Sequence, residues 1–552
     1  MAHMRDEIRN REAATGAIPN DSRQRLTFPF AYVITSIVMA LIILGIVGAT
    51  GGRFIYTLDD PYIHLSMSEQ IAAGGYGVNA NEFAAASSSI LYPLLLAPAS
   101  GYSWQEYLPL AIGIVCVLLS LAVIGSYLEF LGFMTTPAGR RGVAVIAVGF
   151  VLSSNIVGLA FSGMEHNLHI LLAMLAIFGL TRFLDDGRTA WWLVPVLVLG
   201  PLVRYEALAL SLACIGVLAT RQAGRPALLA LLGVVTTLGI FSIFLTAIGQ
   251  GILPNSVIVK SHSVASGLGG TWGGTIAATI VGGIANTIVA FTHLPGLTII
   301  GAAVTGLVIT VRSRLESGPD ASRRKAAATV LAVVALGHLA AGRFGWFHRY
   351  EVYAVVSSAM LIVYLTRTPL LAWWNRPGGM QRVVGIGTVL LAGAGFPYLD
   401  ATFRQVPLAA SNIYEQQYQM HRFVTEFHHG PVAVNDLGWV SYRNPDYVLD
   451  LWGLGSKETR MLREGDPSFG WIGRVTAASG ADIAMIYVDW FPGGVPADWV
   501  PLATLRLRGE RVTAAQDNVV FYATFPAAVE GLKSELATFG ATLPPGVVLT
   551  LH

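Results

Sequence analysis

Charge is scarce in this chain. Asp, Glu, Lys and Arg make up 12% of its 552 residues, while 54% are hydrophobic, against roughly 25% charged residues in a soluble globular chain. That balance excludes an ordinary soluble protein and is the composition of a polytopic membrane protein. Nor is there an excess of one sign: 35 Lys and Arg face 33 Asp and Glu, so no broad basic surface invites a nucleic-acid partner. Cysteine is nearly absent. Cys116 and Cys214 both lie in apolar runs, neither has a neighbour at the spacing of a zinc site or redox pair, and no disulfide is expected. Residues 1–28 are polar and lack the pattern of a cleavable leader, so the first hydrophobic run reads as a retained anchor.

What is plentiful is long apolar sequence. Runs of spanning length begin near Phe30, Leu108, Gly142, Leu168, Trp191, Ala207, Pro226, Leu294, Ala326, Val352 and Val383, which gives about eleven spans at ~17–25 residues each. Basic residues in short loops are retained in the cytoplasm. They fall at Arg23 and Arg25, Arg140 and Arg141, Arg182 and Arg188, Arg221 and Arg225, Arg312 to Lys325, and Arg376 to Arg382. An eleven-span count puts all of them on one side, with the N-terminus inside and the C-terminus outside. Counting Trp272 to Phe291 as a further span would carry the basic loop Arg312 to Lys325 across the membrane, so it reads as a Gly-rich outer-surface or re-entrant segment. The expected organisation is a cytoplasmic tail (1–28), a transmembrane module (29–399) with a large first outer loop (51–107), and an extracytoplasmic α/β domain (400–552). The last part is suggested by strand-like runs VAVNDLG, YVLDLWG, IAMIYV and VVFYATF between polar and Gly/Pro turns, with helical IYEQQYQMHRFVTEF ahead of them.

Polar clusters that the basic-loop rule does not explain share the outer face. They are LDDPYIH (58–64), SGMEHNLH (162–169), VRYEA (203–207), LPNSVIVKSH (253–262) and WFHRYE (346–351). Each has a purely structural reading. Asp59 and Asp60 precede Pro61 and suit a helix start. Glu165 and His166 can mark a wet turn, and His166 with His169 makes only a weak metal pair. Arg204 can pair with Glu206 and Arg349 with Glu351, while Lys260 can snorkel to the interface. Taken together, they describe a cavity of carboxylates, cations and aromatics at one membrane surface.

That combination suits transfer of a sugar from a lipid-linked phosphate. A carboxylate takes the proton of the acceptor hydroxyl and cations hold the departing phosphate. Lys260, Arg204 and Arg349 are the candidate phosphate cations; Tyr56, Tyr62, Trp346 and Tyr350 are aromatics for a sugar ring or prenyl groove. The rival class is a transporter or flippase for a lipid-linked or small polar substrate, in which intramembrane charge marks a path. The chain has no clear internal repeat, and its polar residues gather at one face instead of the midplane.

An acidic pair after the first span, followed in order by SGMEHNLH, RYE, LPNSVIVKS and HRYE, resembles the GT-C superfamily of polyprenyl-phosphate-sugar-dependent glycosyltransferases, in particular its bacterial aminoarabinose- and arabinofuranosyltransferase-like members. The likeness runs from residue 30 to about 365. It implies a GT-C-type fold in the cytoplasmic (inner) membrane, with active site and C-terminal domain facing the periplasm or cell exterior. It also implies inverting transfer of one sugar to a cell-envelope glycan, glycolipid or protein, with an acidic residue of the first outer loop as general base. On this chain that role falls on Asp59 or Asp60, with Asp59 favoured. The resemblance and the clusters assign Lys260, Arg204, Arg349, His348, Tyr350 and Asn255 to donor phosphate and sugar. Glu165, His166, Glu206, Tyr62, His64 and Ser88 are assigned to acceptor contact or support, with the Ser87 to Ser89 run offering hydroxyls to sugar or phosphate. No cofactor or divalent metal is expected; the partners are the polyprenyl-phosphate sugar, the acceptor and the bilayer.

Overall fold

The computed structural model describes residues 29–256 and 272–552. Among the described residues, six helices are long and apolar enough to cross a membrane: Pro29–Ala49, Gln105–Phe130, His166–Asp186, Gly224–Ala247, Leu294–Arg312 and Pro319–Ala341. A rise of about 1.5 Å per residue makes ~20 residues match a hydrocarbon core about 30 Å thick. Two bent pairs, Val352–Leu365 with Arg367–Trp374 and Gly379–Ala394 with Phe396–Phe427, each turn by 70° and raise the count to eight.

This falls short of the eleven runs read from sequence, and the shortfall has identifiable causes. The run from Gly142 belongs to Pro137–Ser153, a helix of 17 residues whose first turn carries Arg140 and Arg141. The runs from Trp191 and Ala207 become helices of 11 and 14 residues, Leu193–Val203 and Ala207–Thr220. Pro201 lies inside the first, and Arg204 after it is extended at φ −151°, so the helix breaks at the polar triplet Arg204-Tyr205-Glu206. Trp272–Thr292 is one helix of 21 residues. Its C-terminal half lies against the ends of its neighbours: the Asn286 amide donates to the carbonyls of His338 (3.2 Å) and Leu339 (3.0 Å).

Beyond Phe427 the chain forms a six-stranded sheet in the order β2-β1-β3-β5-β4-β6. The strands are β1 Val432–Val434, β2 Val448–Asp450, β3 Ile483–Ile486, β4 Val500–Arg506, β5 Asn518–Ala523 and β6 Val548–Leu551. Strand β1 is parallel to both β2 and β3, and the remaining pairs are antiparallel. Every residue of β1, β2 and β3 is buried, as expected for parallel strands covered on both faces. Val434, Met485 and Phe521 pack with Phe423, Leu536 and Phe539 on one side; Ala433, Leu449 and Ile486 pack with Trp471 and Phe491 on the other.

The first loop is not a surface excursion. Its helix Asp60–Ala72 buries every residue from Pro61 to Ser68, and Ile63 and Met67 join the same apolar cluster as β1 and β3. Ser66 meets Ser441 at 2.9 Å. The helix is thus a wedge between the transmembrane helices and the sheet domain, and it fixes where its own N-terminus points.

Candidate functional site

A cavity of about 1010 Å³ lies where three segments meet: the start of helix Asp60–Ala72, the loop after Pro319–Ala341, and the sheet domain. Strand order explains the third wall. Because β1 sits between β2 and β3, the connections leave it in opposite directions, and the crevice opens beyond the carboxyl ends of the parallel strands. Asn435 and Asp436 follow β1, Trp452 follows β2 and Trp490 lies just past β3; all four line the cavity.

Asp59 occupies the N-cap position but makes no side-chain cap bond. Its Oδ2 accepts from the backbone N–H of Gly438 (2.6 Å) and its Oδ1 from that of Trp439 (2.8 Å), so the carboxylate is held by the C-terminal domain. Gly438 is required there, since a Cβ at that position would lie 2.5 Å from Asp59 Oδ2. Burial first, and the neighbouring Asp436 carboxylate second, push the Asp59 pKa well above the usual carboxylate range, against the pull of the two N–H groups. Asp436 is itself raised by burial, opposed by Gln417 Nε2 at 2.7 Å and the Tyr487 hydroxyl at 3.0 Å.

Asp60 begins the helix and accepts from Arg349 Nη1 at 2.6 Å. Arg349 also donates through Nη2 to the Tyr350 hydroxyl at 2.8 Å, while its buried Nε has no hydrogen-bond partner among the described residues. The loop carrying it is strained: Trp346, Phe347 and His348 have φ of 44°, 66° and 50°, three successive non-glycine residues in the left-handed region. Asn155 clamps this turn, donating from Nδ2 to the carbonyls of Phe347 (3.0 Å) and His348 (3.3 Å).

Asp59, Asp60, Arg349, Tyr350 and Trp346 therefore share the cavity wall. Several other expected site residues do not line it. Arg204, assigned to the donor phosphate, is buried between Glu165 and Glu206, with both contacts at 2.6 Å, so its charge is matched within the protein. Glu165 also meets His64 (3.3 Å) and accepts from Ser88 (3.1 Å), while Ser87 lies 2.9 Å from His64 Nδ1. His64, Ser88, Glu165 and Glu206, assigned to acceptor contact or support, and the serine run are thus engaged with one another, away from the cavity lining. Tyr62 stacks on Trp439 at 3.9 Å, and the Tyr56 hydroxyl donates to the Glu106 carbonyl at 2.6 Å; both rings are buried in the core. Asn255 is buried and accepts from Arg460 at 3.1 Å. His348 pairs with Glu351 at 3.4 Å, and His166 is buried edge-on to Tyr350 with ring centroids 6.0 Å apart. Lys260 lies outside the described residues.

Sequence reasoning missed Asp436, Arg463, Trp452 and Trp490. The available signal was positional: NDLG follows β1 and DLWG starts at the last residue of β2, each placing an acid two or three positions ahead of a glycine at the carboxyl end of a buried strand, the place where open α/β sheets bind ligands. Among the described residues, no group of three or more His, Cys, Asp or Glu side chains is arranged to hold a metal ion.

Residues 411–522 match a family described as a domain of unknown function (DUF8728); every cavity-lining residue after Tyr350 falls within that stretch. No curated protein matches the chain. Among solved structures, it is similar to the archaeal oligosaccharyltransferase AglB from Archaeoglobus fulgidus, solved in complex with an inhibitory peptide and a dolichol-phosphate. The TM-score is 0.41 at 11% identity, over 94% of this chain and 75% of that one.

Proposed function

We propose that this chain is a GT-C-type membrane glycosyltransferase. It moves a single sugar from a polyprenyl-phosphate donor to a hydroxyl of a cell-envelope glycan, glycolipid or protein, with inversion, at the outer face of the cytoplasmic membrane. The observation that carries the reading is the convergence of Asp59, Asp60 and Arg349 on one cavity wall, at a point where apolar helices give way to the sheet domain. A base, a cation and room for a sugar are what the chemistry requires.

In this scheme the acceptor O–H gives its proton to the Asp59 carboxylate as its oxygen bonds to the anomeric carbon. The bond from that carbon to the phosphate oxygen breaks, and the phosphate leaves with the electron pair. A base works best with a pKa near the working pH, and the burial that raises Asp59 moves it in that direction. Asp60 holds Arg349 in place, and the unused Arg349 Nε–H is available to the leaving phosphate. Lys260 is the second proposed phosphate cation. Proton transfer and charge neutralisation are supplied by side chains in this scheme, with no step assigned to a metal.

Mass spectrometry of envelope glycans and glycolipids from cells with and without the gene tests the proposal. The expected result is a species lighter by one sugar in the deletion strain, restored by the wild-type gene and not by Asp59→Asn, whose turnover should fall by about 10²- to 10⁴-fold. Unchanged glycan masses, or full rescue by Asp59→Asn, would overturn it.

A further inference from the structure

The sheet-domain wall of the cavity carries a cation that the transfer scheme does not use. Arg463 lies over the Trp452 ring, its guanidinium carbon 4.0 Å from the centroid, and Trp490 closes against Trp452 at 4.5 Å and 51°. All three line the cavity. The Nη1 of Arg463 is buried without a hydrogen-bond partner, and Arg463 makes no ion pair among the described residues. The carboxylates near enough to act on it are committed elsewhere. Glu464 is held by Arg460 at 2.9 Å, and Asp450 accepts from the backbone N–H of Trp452 (2.8 Å) and Gly455 (2.7 Å). Burial lowers the Arg463 pKa, opposed by the charges of Asp450 and Glu464.

A half-buried guanidinium fixed by stacking, with a donor left over, is suited to an oxyanion. The half-buried Trp490 indole beside it offers an apolar face of the kind that lies against a sugar ring. We propose that this part of the cavity is a subsite for a sugar bearing an oxyanion, either carboxylate or phosphate, with Arg463 taking the anion and Trp490 the ring. The proposal rests on the glycosyltransferase reading and narrows its substrate: one of the two reacting glycans is acidic. Arg463 and Arg349 stand on different segments of the wall, and the proposal assigns the anion at Arg463 to a group other than the phosphate leaving at Arg349.

Ligand-detected saturation-transfer NMR on the full chain in zwitterionic nanodiscs tests this without requiring turnover. The probes are glucuronic acid, glucose 6-phosphate and glucose, with inorganic phosphate as competitor. At least one acidic sugar should bind saturably, about tenfold or more tighter than glucose, the scale of one charge-assisted contact. Arg463→Gln should bring it to the level of glucose, and Arg463→Lys should restore part of the difference in a protein of unchanged melting temperature. Preference for glucuronic acid assigns the oxyanion to a carboxylate, and preference for glucose 6-phosphate assigns it to a phosphate. Equal binding of glucose, no saturable binding of either acid, or insensitivity to Arg463→Gln overturns the subsite. Inorganic phosphate competing as well as glucose 6-phosphate overturns the saccharide part. Asp59→Asn should keep this binding while losing transfer, so failure of the subsite and failure of the transferase reading are separately visible.

Discussion

Replacing Gly438 by Ala adds one methyl group at the contact that holds the proposed base. The added Cβ would lie 2.5 Å from Asp59 Oδ2 and 2.6 Å from its Cγ, and closer still to the Asp59 backbone carbonyl. Since real Cβ atoms essentially never approach heavy atoms under 3.0 Å, the carboxylate, at 2.5 Å, must retreat by roughly 0.5 Å and the backbone carbonyl, at 2.1 Å, by roughly 0.9 Å. No rotamer change relieves a clash with a carbonyl. The glycine itself sits in a short helix without a left-handed backbone, so the substitution perturbs the contact and not its own conformation. A displacement of about 1 Å at a reacting group costs on the order of 100-fold in rate. The two N–H bonds to the carboxylate weaken as well, each normally contributing about 1.5–3 kcal/mol. The expected outcome is a protein that still melts cooperatively, destabilised by about 1–3 kcal/mol as for overpacking, with transfer reduced roughly 100-fold in a radiolabelled-donor assay. Gly531→Ala is the control, because nothing lies within 4 Å of its added Cβ; it should leave transfer unchanged. Full activity in Gly438→Ala would refute the placement of Asp59 as the reacting carboxylate.

Asp436→Asn removes the negative charge that is the second cause of the raised Asp59 pKa. The ionised form of Asp59 then persists to lower pH, and the acid limb of the pH–rate profile should shift downward; a limb that stays in place would detach Asp436 from the base. Arg349→Gln should raise the apparent KM for donor more than for acceptor, by about tenfold or more for one lost charge-assisted contact. Arg204→Ala should instead lower the melting temperature, because the buried Glu165 and the half-buried Glu206 lose their partner, at a cost of about 3–5 kcal/mol. An unaltered melt together with a raised donor KM would return Arg204 to the phosphate site. Activity of the purified protein should survive excess EDTA; a loss restored by Mg²⁺, Mn²⁺ or Ca²⁺ would reopen the role of the Asp59 and Asp60 carboxylates.

Most of the long apolar helices and four of the six strands are legible in the sequence pattern, because each is a local periodicity; the boundary expected at residue 400 falls inside the helical run Phe396–Phe427. Strands β4 and β6 escaped for the converse reason: VPLATLR and VLTL mix small and polar residues, and they become strands by pairing with β5 and with each other. Within the site, Asp59, Asp60, Arg349 and Tyr350 stood out because charge beside an apolar run is conspicuous. Arg204 and Glu165 were equally conspicuous, yet they neutralise each other across 39 positions, and no local pattern separates a matched buried pair from a waiting one. The reverse error hid Asp436. Its link to Asp59 crosses the whole transmembrane module, and the signature left in the sequence is the pair of small steps NDLG and DLWG at strand ends.

The left-handed turn at Trp346, Phe347 and His348 bears on timing as well as position. Each such residue costs about 1–3 kcal/mol, and the Asn155 bonds to its carbonyls keep that cost within folding instead of deferring it to each encounter with a ligand. A loop that ordered itself around an arriving phosphate would surrender interaction energy at every cycle and slow its capture. Arg349 is instead a fixed station. Under the proposed transfer it would therefore impose no order on the arrival of donor and acceptor.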